Sequence, residues 1–425
     1  MYPELKERAA SCREDLAAFA QVLVRTQSFS FREEAVAGIV QDLLEDLAYD
    51  LVFRDEVGNV VGFLAGSEEG PTVLLNSHMD TRRPDDELFG PEGPFSGRVE
   101  QDLLRGLGAA ACKGGLAAQV FAGHILDKSL LPLRGTIVFA ATVAQEEGNG
   151  AGVRYLMEQT LPKLGVNPDL AILGEPTALF PCNGHDGWAD VDVAIAARDT
   201  GSARRAAAAI HDALSGVASG ESRKDGVLSA RVAGPAHGEK IESPETSLRV
   251  LCRVGSGEEV ADSVGLVKRL ALSAVDPIGD VSIEVRVHGE RRRFYTGKTA
   301  EVLCWSNPWL TDPSGPLVSR SLEALSASGW RDPTARTWGL DTSRMGTAGS
   351  LLAGSYHVPT LCFGPGDEGR ARGEEESVAL ESLVDAVFGT AVLTHGAIGT
   401  PLPMRWPADR APSDPGNVSP TRSGK

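Results

Sequence analysis

The chain opens on a helical repeat of apolar positions. Leu16, Phe19, Ala20, Leu23 and Val24 recur at three- and four-residue intervals, and so do Ala37, Val40, Leu43 and Leu44. A Ser28-Phe29-Ser30 break separates the two helices that this spacing predicts. The period then changes. Val60-Val61-Gly62-Phe63-Leu64 and Thr72-Val73-Leu74-Leu75-Asn76 are short and mostly apolar, as buried strands are. Residues 116–126 return to helical spacing after Gly114-Gly115. Residues 135–141 form another apolar run, residues 153–160 a helix, and residues 170–173 a further strand. Buried strands that alternate with helices predict an α/β fold with a mainly parallel sheet covered on both faces.

The middle of the chain follows another rhythm. Residues 188–197 alternate like a strand, 202–214 form an Ala-rich helix, and 226–232 and 247–254 are strands. Residues 258–273 are helical and 281–287 form a strand. Strand–helix–strand–strand–helix–strand is the ferredoxin-like order. Residues 185–296 are therefore expected to be an α+β lid domain inserted between two parts of a catalytic domain, 1–184 and 297–405. Within the second part, residues 315–328 predict a helix, 360–363 a strand and 377–393 a closing helix. Residues 406–425, rich in Pro, Ser and Gly, are expected to be a disordered tail.

Charge narrows the range of partners. The net charge of −17 argues against nucleic acid, whose phosphates need a basic face, and against an anionic membrane surface, and a small amino-acid-like molecule is the expected partner. No run of about 18 apolar residues is present, and the first residues lack the apolar core of a signal peptide. The six cysteines form no CxxC pair and no disulfide framework, so reduced thiols and a cytoplasmic protein are expected.

The candidate chemistry lies where apolar strands end. Asn76-Ser77-His78-Met79-Asp80 follows one strand, Gln145-Glu146-Glu147-Gly148 another, and Gly174-Glu175-Pro176-Thr177 a third. Open α/β sheets place their sites at such carboxyl ends. Asp80 lies two residues beyond His78, where it can hold the imidazole in one tautomer. Paired carboxylates in a cleft are costly unless a cation or a reaction uses them, and one can bind a metal while its neighbour acts as a base. Taken singly, each motif could equally be a loop histidine, a solvated Glu-Glu pair or a turn.

Taken together, these motifs resemble the zinc-dependent aminoacylase and exopeptidase family that includes acetylornithine deacetylase, succinyl-diaminopimelate desuccinylase and carboxypeptidase G. The resemblance runs from Thr26-Gln27-Ser28 through Pro94-Phe95-Ser96-Gly97 and Lys113-Gly114-Gly115 to Phe363-Gly364-Pro365-Gly366. Gly58-Asn59-Val60-Val61-Gly62 and Trp338 look most like a subgroup of selenium-metabolism-linked hydrolases. The resemblance implies that His78 and Glu175 bind one zinc, with Asp80 steadying His78. It implies that Glu147 binds a second zinc and that Glu146 is the general base. Arg253 is slightly offset from a lid arginine that grips a substrate carboxylate. His185, at the expected lid hinge, is a further substrate-binding candidate. Two copies are expected to pair through the lid.

The match breaks where the second metal should be held. The stretch that in the family reads Gly-Arg-Gly-x-x-Asp-Met-Lys-Gly-Gly is here Gly106 to Gly115, with Ala111 in place of the bridging Asp and Cys112 in place of Met. The C-terminal Ala-His-x-x-x-Glu becomes Ala371-Arg372-Gly373-Glu374-Glu375-Glu376, so an arginine replaces a histidine ligand. The lid also lacks the family's His-x-x-Pro, since Arg198-Asp199-Thr200-Gly201 passes straight into a helix. One zinc at most is expected, and none is the alternative. Arg372 is expected to fill the vacated place by pairing with Glu147, or to contact substrate. Cys112, beside Lys113, is either a nucleophile or replacement ligand, or a small apolar filler. The expected activity is hydrolysis of an amide or peptide bond in a small N-acyl amino acid or dipeptide-like molecule. A metal-free acyl transfer or condensation through Cys112 or Glu146 and a non-catalytic binding role are the alternatives.

Overall fold

The computed structural model describes residues 2–84, 93–218, 230–233, 242–338, 346–373 and 375–399. The expected tail and part of the strand expected over 226–232 lie outside the described residues.

The apolar runs fold as a twisted sheet with a parallel centre. Arg134–Thr142, Glu68–His78, Leu170–Leu173 and Thr360–Cys362 lie side by side and point the same way. Antiparallel pairs extend this core. Val60–Ala65 and Leu51–Arg54 add to one side, and Cys182–His185 and Trp309–Leu310 to the other. Alternation along each central strand explains why the runs contain so few polar residues. Val73 and Leu75 enter the core that holds Leu116 and Phe121, whereas Leu74 enters the core that holds Val153 and Leu351. Both faces are buried, so neither face selects for polar side chains.

Helices Pro3–Ser11, Arg13–Arg25, Gly114–Asp127 and Leu380–Ile398 pack into the first of these cores. The closing helix begins three residues later than its spacing predicts. Ser377–Ala379 is a strand paired with Leu103–Arg105, and this backbone pairing takes precedence over the helical pattern. Leu51–Arg54 and the hairpin of Gly289–Arg293 with Thr299–Leu303 carry no clear strand pattern in the sequence, because they are short or rich in charge.

The second sheet is antiparallel. Ala230–Ala233, Glu245–Val254, Gly187–Ala197 and Val281–Val287 follow one another across it. Helices Thr200–Ala218 and Val260–Val275 close its core. The βαββαβ chain order with this strand sequence is the ferredoxin-like arrangement.

Candidate active site

Register brings the strand exits together. His78 pairs with Thr142, and Asn76 with Leu173, so three strands end level with one another. The fourth central strand, Thr360–Cys362, ends beside Leu173 and leads through Phe363-Gly364-Pro365-Gly366 to Glu368. The site therefore receives His78, Glu146, Glu175 and Glu368 from four neighbouring strand ends.

Two close backbone approaches fix the other wall. A Cβ on Gly115 would stand 1.7 Å from the Gly174 carbonyl oxygen, and one on Gly366 would stand 2.3 Å from that of Ala110. Glycine at both places lets the turn over 109–113 press against two strand exits. The Cys112 thiol consequently donates to the Gly174 carbonyl at 3.0 Å. Glu376 then ties the two altered positions together. It accepts the backbone N–H groups of Ala110 and Ala111 at 2.9 and 3.0 Å, and that of Arg372 at 2.8 Å.

Asp80 organises the histidine side. His78 Nδ1 lies 2.9 Å from the Asp80 carbonyl oxygen and 3.2 Å from Oδ1, which turns Nε2 inward. Asp80 also accepts from Ser30 Oγ and from the backbone N–H groups of Gln145 and Glu146. Burial opposes its charge, but the His78 contact and these donors hold the carboxyl below its usual range. His78 moves the other way. Burial disfavours its charged form, yet Asp80, Glu175 and Glu146 together raise it to about 9.

The two adjacent glutamates separate. Glu146 turns inward, its side chain 10% exposed and Oε1 3.9 Å from His78 Nε2. Glu147 turns outward, 32% exposed, and meets Arg292 at 3.4 Å. Arg372 pairs with Glu146 and not with Glu147 as expected. Its Nε lies 3.0 and 3.2 Å from the two Glu146 oxygens, and a terminal nitrogen lies 2.9 Å from Oε1. The inward carboxylate is the one that needs a counter-charge. Burial raises Glu146, but Arg372 and His78 outweigh it and hold the carboxyl low.

Glu368 is marked in the sequence only by the Asp367-Glu368 pair after Gly364-Pro365-Gly366, which reads as an ordinary solvated acidic turn. Arg372 also donates to Glu368 Oε1 at 2.9 Å, while Glu368 Oε2 is buried without a hydrogen-bond partner. Burial raises Glu368 to about 7 although Arg372 opposes the shift. Glu175 is likewise raised, by burial foremost, with His78 and Arg372 opposing.

Two expected roles, those of Cys112 and His185, are altered by these placements. Lys113 does not activate Cys112. Its Nζ turns away to donate to the Leu23 and Thr26 carbonyls at 2.8 and 2.7 Å. Burial and the Glu175 charge therefore push the Cys112 thiol well above its usual value, the reverse of a free nucleophile. His185 does not open on the cleft. It is buried against Trp309 and held between Thr347 Oγ1 and the Asp186 carbonyl, and burial lowers it to about 4. Arg253 lies 3.7 Å from Asp186 at the base of the second sheet.

The donor set decides what the site can hold. Ligand atoms of His78, Cys112 and Glu175 lie within 4.8 Å of one another, and all three residues are buried. Nitrogen, sulfur and carboxylate oxygen suit one zinc-like ion with three protein ligands. The set that the resemblance implies for a second ion does not fit. Position 111 offers a methyl group, position 372 a cation, and Glu147 faces Arg292.

Comparison with known proteins agrees with the fold. Residues 74–393 match the model of peptidase family M20/M25/M40. The protein YgeY of Escherichia coli K12, itself uncharacterized, is 24% identical over 427 residues, covering 94% of this chain and 96% of YgeY. Aminopeptidase PepT of Bacillus cereus superposes with a TM-score of 0.65 at 19% identity, over 91% of this chain and 98% of its own. YXEP of Bacillus subtilis, a dinuclear metal-binding peptidase, gives 0.63 at 16% identity over 91% and 98%.

Proposed function

The chain belongs to peptidase family M20/M25/M40, and from that premise we propose that it hydrolyses an amide or peptide bond in a small N-acyl amino acid or dipeptide-like molecule at a centre built for one divalent ion. Family membership places the chain among hydrolases. The observation that carries the single-ion reading is the division of the site. His78, Cys112 and Glu175 converge on one point, while Arg372 takes the carboxylate next to it.

When bound, a divalent ion supplies Lewis-acid polarisation of the scissile carbonyl. The chain's own residues provide the rest. Asp80 holds His78 so that Nε2 faces the site. Arg372 holds Glu146 ionised and aimed beside His78, where it can take a proton from an attacking water. Because Arg372 also keeps Glu146 a weak base, catalysis depends on the carboxylate's position more than on its basicity.

One observation favours a metal-free reading, either acyl transfer or condensation. A protonated His78 among Asp80, Glu146 and Glu175 already balances much of the buried negative charge. The raised Cys112 thiol argues against that residue as its nucleophile. Free thiols at all six cysteines agree with the proposed cytoplasmic location, and no helix among the described residues is long and apolar enough to cross a membrane. Pairing of two copies belongs to the same reading. The edge strand Val281–Val287 has a partner strand on one side only among the described residues.

The test is a panel of N-acyl amino acids and dipeptides, offered to the protein with and without one equivalent of zinc. Zinc-dependent release of a free amino acid, lost at least about 100-fold in Glu146→Gln, is the expected result. Equal turnover without metal would support the metal-free reading, and no turnover of any member would overturn the proposal.

A further inference from the structure

We propose that Cys112, as a thiolate, is the third protein ligand of a single zinc-like ion, together with His78 and Glu175. The proposal rests on the single-ion reading above and adds the identity of the ligand that replaces the carboxylate missing at position 111.

The geometry places the sulfur where a ligand is needed. Cys112 follows Ala111 in a turn that Gly115 and Gly366 press against the strand exits. Its Sγ shares one 4.8 Å neighbourhood with a nitrogen of His78 and an oxygen of Glu175. No oxygen from position 111 can enter, because that side chain ends at a methyl group. Three protein donors with a fourth position open to water or substrate is the usual plan of a catalytic zinc site. His78 already has the supporting carboxylate that such ligands use.

Charge leads to the same assignment. One divalent ion with a thiolate and the Glu175 carboxylate is neutral, and the adjoining Arg372–Glu146 pair is neutral as well. A second divalent ion beside Arg372 would add charge to a site that has lost an anion. Without an ion, the Cys112 thiol keeps its proton and donates to Gly174. On metal binding the Cys112 sulfur–hydrogen bond and the His78 Nε2–hydrogen bond break, both protons pass to solvent, and sulfur–metal and nitrogen–metal bonds form with no change of oxidation state. A soft sulfur in the set selects zinc, cobalt or cadmium over magnesium, calcium or manganese.

Cobalt(II) titration of the intact chain tests the assignment. The expected result is saturation at one equivalent with a thiolate-to-cobalt charge-transfer band in the near ultraviolet. Cys112→Ser should remove that band and weaken zinc, measured by chelator competition, by more than the roughly 10–100-fold that an outer-shell change costs. Cys112→Asp should bind one equivalent without the band. Circular dichroism of both variants reports folding, and the wild-type spectrum needs no variant. One equivalent of cobalt without a thiolate band would overturn the assignment and leave the single-ion reading standing. No binding at all would overturn both.

Discussion

The Arg372 guanidinium holds the Glu146 carboxylate through two nitrogens, with Nε at 3.0 Å and a terminal nitrogen at 2.9 Å from the same oxygen. Both side chains are only 10% exposed, and Arg372 reaches Glu368 as well. Removing one partner of a buried pair leaves an uncompensated charge, which costs about 3–5 kcal/mol. Arg372→Met should therefore destabilise the fold by that order in chemical denaturation. A much smaller loss would mean that water or a counter-ion already serves Glu146.

Much of this site was legible in the sequence, and the reason is physical. Each strand-end motif follows an apolar run, and buried strands of a parallel centre can be read from such runs alone. His78, Glu146 and Glu175 can therefore be assigned to one sheet edge from the sequence. What stayed hidden was side-chain direction. Two adjacent glutamates look equivalent in sequence, but Glu146 faces His78 and Glu147 faces solvent and Arg292. Lys113 next to Cys112 suggested an activated thiol, whereas successive residues of a turn point apart and the ammonium is claimed by two carbonyls. Glu368 follows a strand exit in an Asp367-Glu368 pair, but its inward direction depends on where the Gly364-Pro365-Gly366 turn leads the chain.

Lys113 is wholly buried and donates to Leu23 and Thr26. Burial lowers its ammonium to about 7 although Glu376 and Asp80 oppose the shift. Lys113→Met keeps the stem and removes the donor, leaving the Thr26 carbonyl without it while the Leu23 carbonyl keeps the Thr26 N–H at 3.3 Å. At roughly 1–3 kcal/mol for an unsatisfied buried group, urea unfolding should show a loss of that order at alkaline pH, and the rise of stability with pH from about 7 to 10.5 that the lowered lysine produces should disappear.

Glu33 should make stability fall with rising pH. Its Oε1 accepts the N–H groups of Phe31 and Ala144, while Oε2 is buried without a partner. Burial foremost, then the Asp80 charge, raises this carboxyl from 4.5 to about 8. The folded chain therefore holds a proton here that the unfolded chain has lost above about 4.5. Its stabilising contribution is full below the lower value, declines as pH rises towards about 8 and is flat above it. The whole change is at most about 5 kcal/mol. Glu33→Gln imitates the protonated form, so it should flatten the slope and raise stability at alkaline pH. A slope unchanged in Glu33→Gln would assign it to other groups.

Glu147 and Glu175 should respond differently to removal. Glu147→Ala breaks only a half-exposed contact with Arg292, worth about 0–1 kcal/mol, and should leave metal content unchanged. Glu175→Gln should remove most bound zinc, measured by mass spectrometry after dialysis. Equal losses from both variants would mean that Glu147 also holds an ion.

The number of ions is measured most directly by anomalous diffraction at the zinc edge from crystals grown with excess zinc. One peak among His78 Nε2, Cys112 Sγ and Glu175, with the Arg372–Glu146 pair intact, is the predicted result. Two peaks a few ångströms apart, the second against Glu147 with Arg372 displaced, would contradict it.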